Sequence, residues 1–192
     1  MDNLSTLNRH HDFGTYLAKA KDQGAEVIFC PVSLAYATQI IKLAASMGLD
    51  IPILGSDTLD SNKVLKAAAG SDVQLYVSTF YQEGGSPEFD DGIKAWLNED
   101  STAMTNNGGD DTIAAVTAMG YDAYYVALEA LKAAGSTDAG AVKAALPGVT
   151  YTGVTGVIAF DDIGDAIRDT AYIKVADTAN SAWALETMQK AG

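Results

Sequence analysis

The side chains of this sequence with the clearest binding chemistry follow three apolar runs that have the composition of strands. Ser33 and Tyr36 follow EVIFCPV, Ser56 and Asp57 follow IPILG, and Phe80 follows VQLYVST. Ligands of open parallel sheets bind outside the carboxyl ends of the strands, so these groups predict a polar and aromatic pocket for a small molecule. Simpler interpretations stay open, because the serines could cap helices and the rings could pack. The Asp57 carboxylate could also cap a helix, or it could hold a positive group.

Other side chains with catalytic or metal-binding chemistry do not form a site. His10 and His11 are adjacent and point different ways, so no metal site is expected there. The segment FDDIGD, with Asp161, Asp162 and Asp165, lacks the spacing and the final Glu of a calcium loop, and we interpret it as a hairpin-type turn. The sequence has no H-E-x-x-H, G-x-S-x-G, P-loop or G-x-G-x-x-G motif. We therefore expect that the protein is not an enzyme.

The composition limits the class of protein. A chain of 192 residues with 48% apolar residues can form one large domain or two small lobes, each with a real core. Its net charge of −13 and scattered basic residues argue against nucleic-acid binding and against anionic membranes. The single cysteine, Cys30, lies in an apolar run and is expected to be a packed thiol, not a nucleophile. No apolar run approaches the ~20 residues of a membrane-spanning helix.

Alternating helices and strands are expected to position the candidate binding residues. In the first half, three helices are predicted, over DFGTYLAKAKDQG, LAYATQIIKLAASMGLD and SNKVLKAAAGS. In the first of these, Asp12 is the expected N-cap and Gly24 is expected to end the helix. The apolar runs between them are predicted strands, and EVIFCPV has the pattern of a parallel strand buried on both faces. This order requires right-handed crossovers and predicts an α/β fold with a doubly wound parallel sheet.

The second half is expected to be less regular. Its predicted elements, in order, are a helix over 89–97 introduced by Ser86 and Pro87, a surface loop over 98–111, the longest helix over 111–134, a helix capped by Ser136 or Thr137, two strands in GVTGVIAFDDIGD and RDTAYIKVAD joined by an acidic turn, and a weakly helical tail over 178–192.

Three stretches together carry a specific resemblance to a known family. They are the succession from DFGTYLAKAKDQG through IPILGSDTLDSNKVLKAAA, the segment AAVTAMGYDAYYVALEALKAAG, and YTGVTGVIAFDDIGD. From Asp12 to Asp177 the chain resembles the type I periplasmic binding proteins, in particular the branched-chain amino-acid binding proteins of ABC transporters. The resemblance implies two flavodoxin-like lobes joined by three crossovers, with a solute held in the cleft between them. It also implies delivery to a membrane permease, a periplasmic or extracellular location with or without a membrane anchor, and no cofactor.

The resemblance assigns roles to particular residues. Asp57 matches an acidic residue that holds the ammonium of the ligand, while Ser33, Ala118 and Tyr121 match positions near the ligand. A charge-assisted hydrogen bond in a closed cleft is stronger than a neutral one, so this set favours a small amino acid or related zwitterion over a sugar. The alternative function is a ligand-sensing regulatory or receptor domain of the same fold, which these residues do not separate from transport.

The match begins within a lobe, and the chain is therefore expected to be a fragment. We expect residues 1–100 to be the remainder of the second lobe, 101–165 the C-terminal part of the first lobe with the hinge crossovers, and 166–192 a final strand returning to the second lobe, with a tail. A doubly wound sheet has its first strand near the middle, so without it EVIFCPV would have an unpaired edge and less cover. Self-association and weak amino-acid binding by the chain alone are expected.

Overall fold

The computed structural model describes residues 12–168 and 170–190, which form an α/β fold. Two short 3-10 turns, Asp57–Leu59 and Leu146–Gly148, accompany the main elements. In chain order these elements are α1 (Phe13–Asp22), β1 (Ile28–Cys30), α2 (Leu34–Ser46), β2 (Ile53–Gly55), α3 (Asn62–Ala68), β3 (Leu75–Thr79), α4 (Pro87–Glu99), α5 (Ser101–Asn106), α6 (Ala115–Ala134), α7 (Ala139–Ala145), β4 (Tyr151–Gly153), β5 (Gly156–Phe160), β6 (Ala166–Ile167), β7 (Thr170–Asp177) and β8 (Ala182–Lys190).

The predicted parallel sheet is confirmed. Strands β1, β2 and β3 pair in parallel, with Ile28 opposite Ile53 and Ile53 opposite Leu75. In the part of the chain that the structure describes, this sheet has five strands in the order β1-β2-β3-β7-β8, and β4, β5 and β6 form a smaller antiparallel sheet. Because α2 and α3 connect the parallel strands, the carboxyl ends of β1 and β2 lie at the same edge.

The chain divides into two compact units. Unit 1 comprises residues 12–77 with Val175–Ala184, and unit 2 comprises Ser78–Lys174 with residues 185–190. The chain changes unit within β3, β7 and β8. The first division between the units falls at Val77, because residues of the loop after β3 and of α4 pack into the same core as α6. The assignment of residues 1–100, 101–165 and 166–192 to the two lobes stays a prediction.

Unit 1 has one apolar core. Helix α1 begins where the Asp12 carboxylate accepts a hydrogen bond from the Thr15 backbone N–H, and it stops before Gly24, whose φ of +69° suits glycine. Helix α2 packs against both α1 and α3. Cys30 is buried in this core, and the loss of hydration raises the pKa of its thiol to about 11. The packed thiol predicted from the sequence is thereby confirmed.

Strand β1 differs from its prediction. Cys30 is buried, but Phe29 is 67% exposed and Val27 is 55% exposed, so the strand is not buried on both faces. Side chains alternate along a strand, and here only one face packs into the core of unit 1. Among the described residues, β1 is the first strand of the sheet order and has β2 as its only neighbour.

Three predictions for the second half were wrong, each for a local reason. The segment 98–111 is not all loop, because the Asp100 carboxylate accepts hydrogen bonds from the Thr102 and Ala103 N–H groups and caps the short helix α5. Helix α7 is capped by Asp138, which accepts from the Ala141 N–H, and not by Ser136 or Thr137. The tail forms β8, which pairs next to β7, so sheet pairing overrides its weak helical pattern.

Candidate functional site

Two loops meet at the carboxyl ends of β1 and β2 in unit 1. The Thr58 hydroxyl donates to the Val32 carbonyl at 3.0 Å and shares a 2.8 Å hydrogen bond with the Ser56 hydroxyl. The turn is tight, since a Cβ on Gly55 would collide with the side chain of Leu59. These contacts bring the loop that precedes α2 next to the loop that carries Asp57, as the strand-end argument predicts for a shared edge.

Asp57 also lies at this edge. It is the first residue of the 3-10 turn and is half-buried. The helix that follows is capped by Ser61, whose hydroxyl accepts from the Lys63 N–H at 3.2 Å, so Asp57 is not needed as its cap. Among residues 12–168 and 170–190, no hydrogen-bond donor or cation pairs with the Asp57 side chain. The carboxylate therefore keeps its full hydrogen-bonding capacity for a positive group.

Ser33 and Tyr36 lie on the neighbouring loop and the first turn of α2. Ser33 is the N-cap residue, but its side chain makes no capping hydrogen bond, and it is its carbonyl that accepts from the Tyr36 and Ala37 N–H groups. The Tyr36 ring packs against Phe13, with 5.8 Å between ring centroids. Ser33, Tyr36, Ser56 and Asp57 thus all belong to the strand-end edge of unit 1. Their contact with a ligand stays a prediction.

The other three predicted site residues belong to unit 2, and they differ in surroundings. Phe80 lies beneath the guanidinium of Arg168, with 5.0 Å from the Arg168 Cζ atom to the ring centroid. Ala118 is completely buried in the core with Tyr81 and Phe89. Its methyl group packs in this core, and a ligand contact near Ala118 stays a prediction.

Tyr121 is 38% exposed and belongs to a row of aromatic rings on unit 2. Its ring centroid is 5.0 Å from that of Phe89 and 4.9 Å from that of Tyr125, which in turn stacks on Tyr151. The hydrogen bond to the Tyr125 hydroxyl, with partial burial, raises the pKa of Tyr121 to about 12. The hydroxyl therefore stays protonated at neutral pH and can donate as well as accept.

Sequence reasoning missed Asp122, although it lies in the segment AMGYDA that carried the resemblance. Asp122 is fully buried in α6 and accepts hydrogen bonds from the Val154 N–H at 2.9 Å, from the Thr155 N–H at 2.8 Å and from the Thr155 hydroxyl. A Cβ on Gly153 would collide with this carboxylate. A charged residue within an apolar helix, followed downstream by the glycine-rich TGVTG, was the available signal. Asp122 fixes the turn between β4 and β5.

The acidic segment after β5 is a turn, as predicted. Asp161 accepts hydrogen bonds from the Ile163 and Asp165 N–H groups, and Gly164 has a φ of +95°. In the part of the chain that the structure describes, no three His, Cys, Asp or Glu side chains group as a metal site. His10 and His11 lie outside the described residues.

Comparison with known proteins identifies the family. Residues 4–180 match the family described as periplasmic binding protein. The chain belongs to this family. Its fold is the type I periplasmic binding protein fold, in agreement with the resemblance noted in the sequence. No curated protein matched the chain. Among the described residues, no helix is both long and apolar enough to cross a membrane.

Solved structures of family members agree with this fold. A leucine-binding protein, LivK, from Thermotoga maritima is 23% identical with a TM-score of 0.73, covering 95% of this chain and 49% of that one. A solute-binding protein from R. palustris in complex with benzoate is 17% identical with a TM-score of 0.73, covering 96% and 49%. LivJ from Streptococcus pneumoniae in complex with isoleucine is 22% identical with a TM-score of 0.64, covering 95% and 49%. The chain spans about half the length of these proteins.

Proposed function

We propose that this chain is part of the extracytoplasmic solute-binding component of an ABC transporter, which binds a small amino acid or related zwitterion and delivers it to a permease. Family membership supports the solute-binding role. The leucine-binding and isoleucine-bound relatives support the amino-acid class. No particular observation in this chain favours the sensory alternative over transport.

The observation that carries the amino-acid proposal is the Asp57 carboxylate at the carboxyl end of β2, which pairs with no residue that the structure describes. An ammonium group placed there would donate a charge-assisted hydrogen bond to the carboxylate, which is about twice as strong as a neutral one. The Ser33 and Ser56 hydroxyls on the same edge can donate or accept, which suits a ligand with both polar ends. A half-buried carboxylate has less water to compete with the ligand than an exposed one.

Aromatic acids are the competing ligand class, because one relative was solved with benzoate and another with 4-hydroxybenzoate. Neither ligand carries an ammonium group. A carboxylate ligand close to Asp57 would meet a like charge, which disfavours its binding. Asp57 therefore favours a zwitterion over a simple carboxylic acid at this edge.

The experiment is a titration of the ¹⁵N-labelled chain with leucine, followed by the amide chemical shifts, which detect weak as well as tight binding. Within unit 1, we expect leucine to change only the amide chemical shifts of the loops around residues 33–36 and 56–58. Asp57→Asn should weaken leucine binding by about tenfold or more, since a hydrogen bond to a charged group contributes about 1.5–3 kcal/mol.

Asp50→Asn is the matched control. Asp50 precedes β2 at the opposite end of the strand and is exposed, so this variant makes the same change in net charge away from the edge. Its leucine affinity should equal that of the unchanged chain. Equal affinities for Asp57→Asn and Asp50→Asn, or shifts with benzoate and none with leucine, would contradict the proposal.

A further inference from the structure

Unit 2 contains a cavity of its own. It has a volume of about 330 Å³ and lies between the β4–β5 turn and the strands β7 and β8. Its lining consists of residues 153–157 with Arg168, Thr170, Tyr172, Met188 and Lys190. All of these residues belong to unit 2, so the cavity is distinct from the strand-end edge of unit 1 that carries Asp57.

The charge of this cavity is opposite to that of the protein. The sequence has a net charge of −13, yet the described lining holds two cationic side chains, Arg168 and Lys190, and no carboxylate. Arg168 is also the only arginine among the described residues. Two cationic side chains in the lining of one cavity favour an anion over a cation there, although the molecule as a whole is acidic.

Arg168 is held in place before any ligand arrives. Its Nη1 donates to the Thr155 carbonyl at 3.2 Å and contacts the Thr155 hydroxyl at 3.1 Å. Its guanidinium lies over the Phe80 ring, and the Thr155 hydroxyl is itself bound by the buried Asp122. Both Thr155 contacts use Nη1, so the remaining guanidinium nitrogens can donate to a ligand. A preorganised arginine loses little side-chain entropy when it binds a carboxylate in a bidentate way.

The rest of the lining suits a ligand with an apolar body. Val154, Val157 and Met188 contribute apolar surface, and Tyr172 contributes a ring with a hydroxyl group. The volume lies at the lower end of the range for small-molecule sites. We propose that this cavity is a second ligand site, specific for a small organic carboxylate whose charged end pairs with Arg168 and whose apolar part lies on the valines and Met188. This site goes beyond the proposed amino-acid function.

The test uses cyclohexanecarboxylate and its uncharged analogue, cyclohexanecarboxamide, as probes. In titrations of the ¹⁵N-labelled chain, the carboxylate should shift the amide signals of residues 153–157 and Tyr172, and the carboxamide should not. Arg168→Gln should weaken the binding of the carboxylate by about tenfold or more, because the variant removes a charge-assisted hydrogen-bonded pair. Lys132→Gln is the matched control, since Lys132 lies on α6 and pairs with Glu129 outside the cavity.

A second variant guards against loss of folding in Arg168→Gln. Lys190→Gln alters an exposed lysine of the cavity lining and should weaken the binding of the carboxylate by about twofold to fivefold, as expected for an exposed charge pair. Equal shifts with the carboxamide, unchanged affinity in both variants, or equally tight binding of inorganic phosphate would overturn the proposal. Because Asp57→Asn leaves this cavity intact, loss of leucine binding and loss of carboxylate binding are separately measurable.

Discussion

The hydrogen bonds of Asp122 give the sharpest prediction for the stability of unit 2. Asp122→Asn keeps the size of the side chain but replaces one carboxylate oxygen by an NH₂ group. In the structure one oxygen accepts from the Val154 N–H, while the other accepts from both the N–H and the hydroxyl of Thr155. The Thr155 hydroxyl can rotate to accept from the new amide, but the Thr155 N–H then faces a second donor.

One lost hydrogen bond to a charged acceptor costs about 1.5–3 kcal/mol, which is the expected fall in the free energy of unfolding for Asp122→Asn. Urea unfolding measures this fall, and faster hydrogen exchange of the Val154 and Thr155 amides locates it. Asp138→Asn is the control, because Asp138 caps α7 and asparagine is an equally good cap. If both variants lose less than about 0.5 kcal/mol, Asp122 does not hold the turn as described.

Three further predictions concern glycine, cysteine and the sheet edge. Gly153→Ala should destabilise unit 2, because the new Cβ would collide with the buried Asp122 carboxylate, whereas Gly120→Ala on α6 meets open space and should stabilise by up to about 1 kcal/mol. Thermal unfolding compares the two variants, and equal changes in their melting temperatures would contradict the close contact between Gly153 and Asp122. Burial raises the pKa of the Cys30 thiol to about 11, so Cys30 should resist alkylation at pH 8 until the chain unfolds, and rapid labelling of the folded chain at pH 8 would refute this burial. Because the thiol ionises at a lower pH in the unfolded chain, the free energy of unfolding should fall as the pH rises from about 9 towards 11. Analytical ultracentrifugation should show self-association of the chain through the edge of β1, and Phe29→Lys should reduce this self-association. A chain that sediments as a monomer at every concentration would contradict this prediction.

The regular parts of the fold were predictable because local signals and tertiary packing agree. Helix α1 begins after the capping residue Asp12 and ends before Gly24, as the preferences of Asp for N-caps and of Gly for helix ends predict. The apolar runs of β1, β2 and β3 form a parallel sheet. The failures lie where long-range contacts decide. The tail pairs with β7, and Phe29 is exposed because only one face of β1 packs into the core, which no local pattern records.

The candidate site was predictable to the level of the strand ends, and less so for single side chains. Ser61 rather than Asp57 caps α3, and this choice between two nearby polar residues depends on backbone geometry. Ala118 and Tyr121 were singled out on α6, but Asp122, one residue further on, makes the contacts that fix the β4–β5 turn. Its partners are more than thirty residues away in the sequence, so only the folded structure connects them.

The most direct test of amino-acid recognition compares leucine with 4-methylpentanoate, which is leucine without its ammonium group. The measurement is the change in the amide signals of residues 56–58 when each compound is added to the ¹⁵N-labelled chain. If Asp57 binds an ammonium group, leucine shifts these signals and 4-methylpentanoate does not, because the deaminated compound brings only a like charge to the carboxylate. Equal shifts with both compounds, or shifts with 4-methylpentanoate alone, would contradict the account.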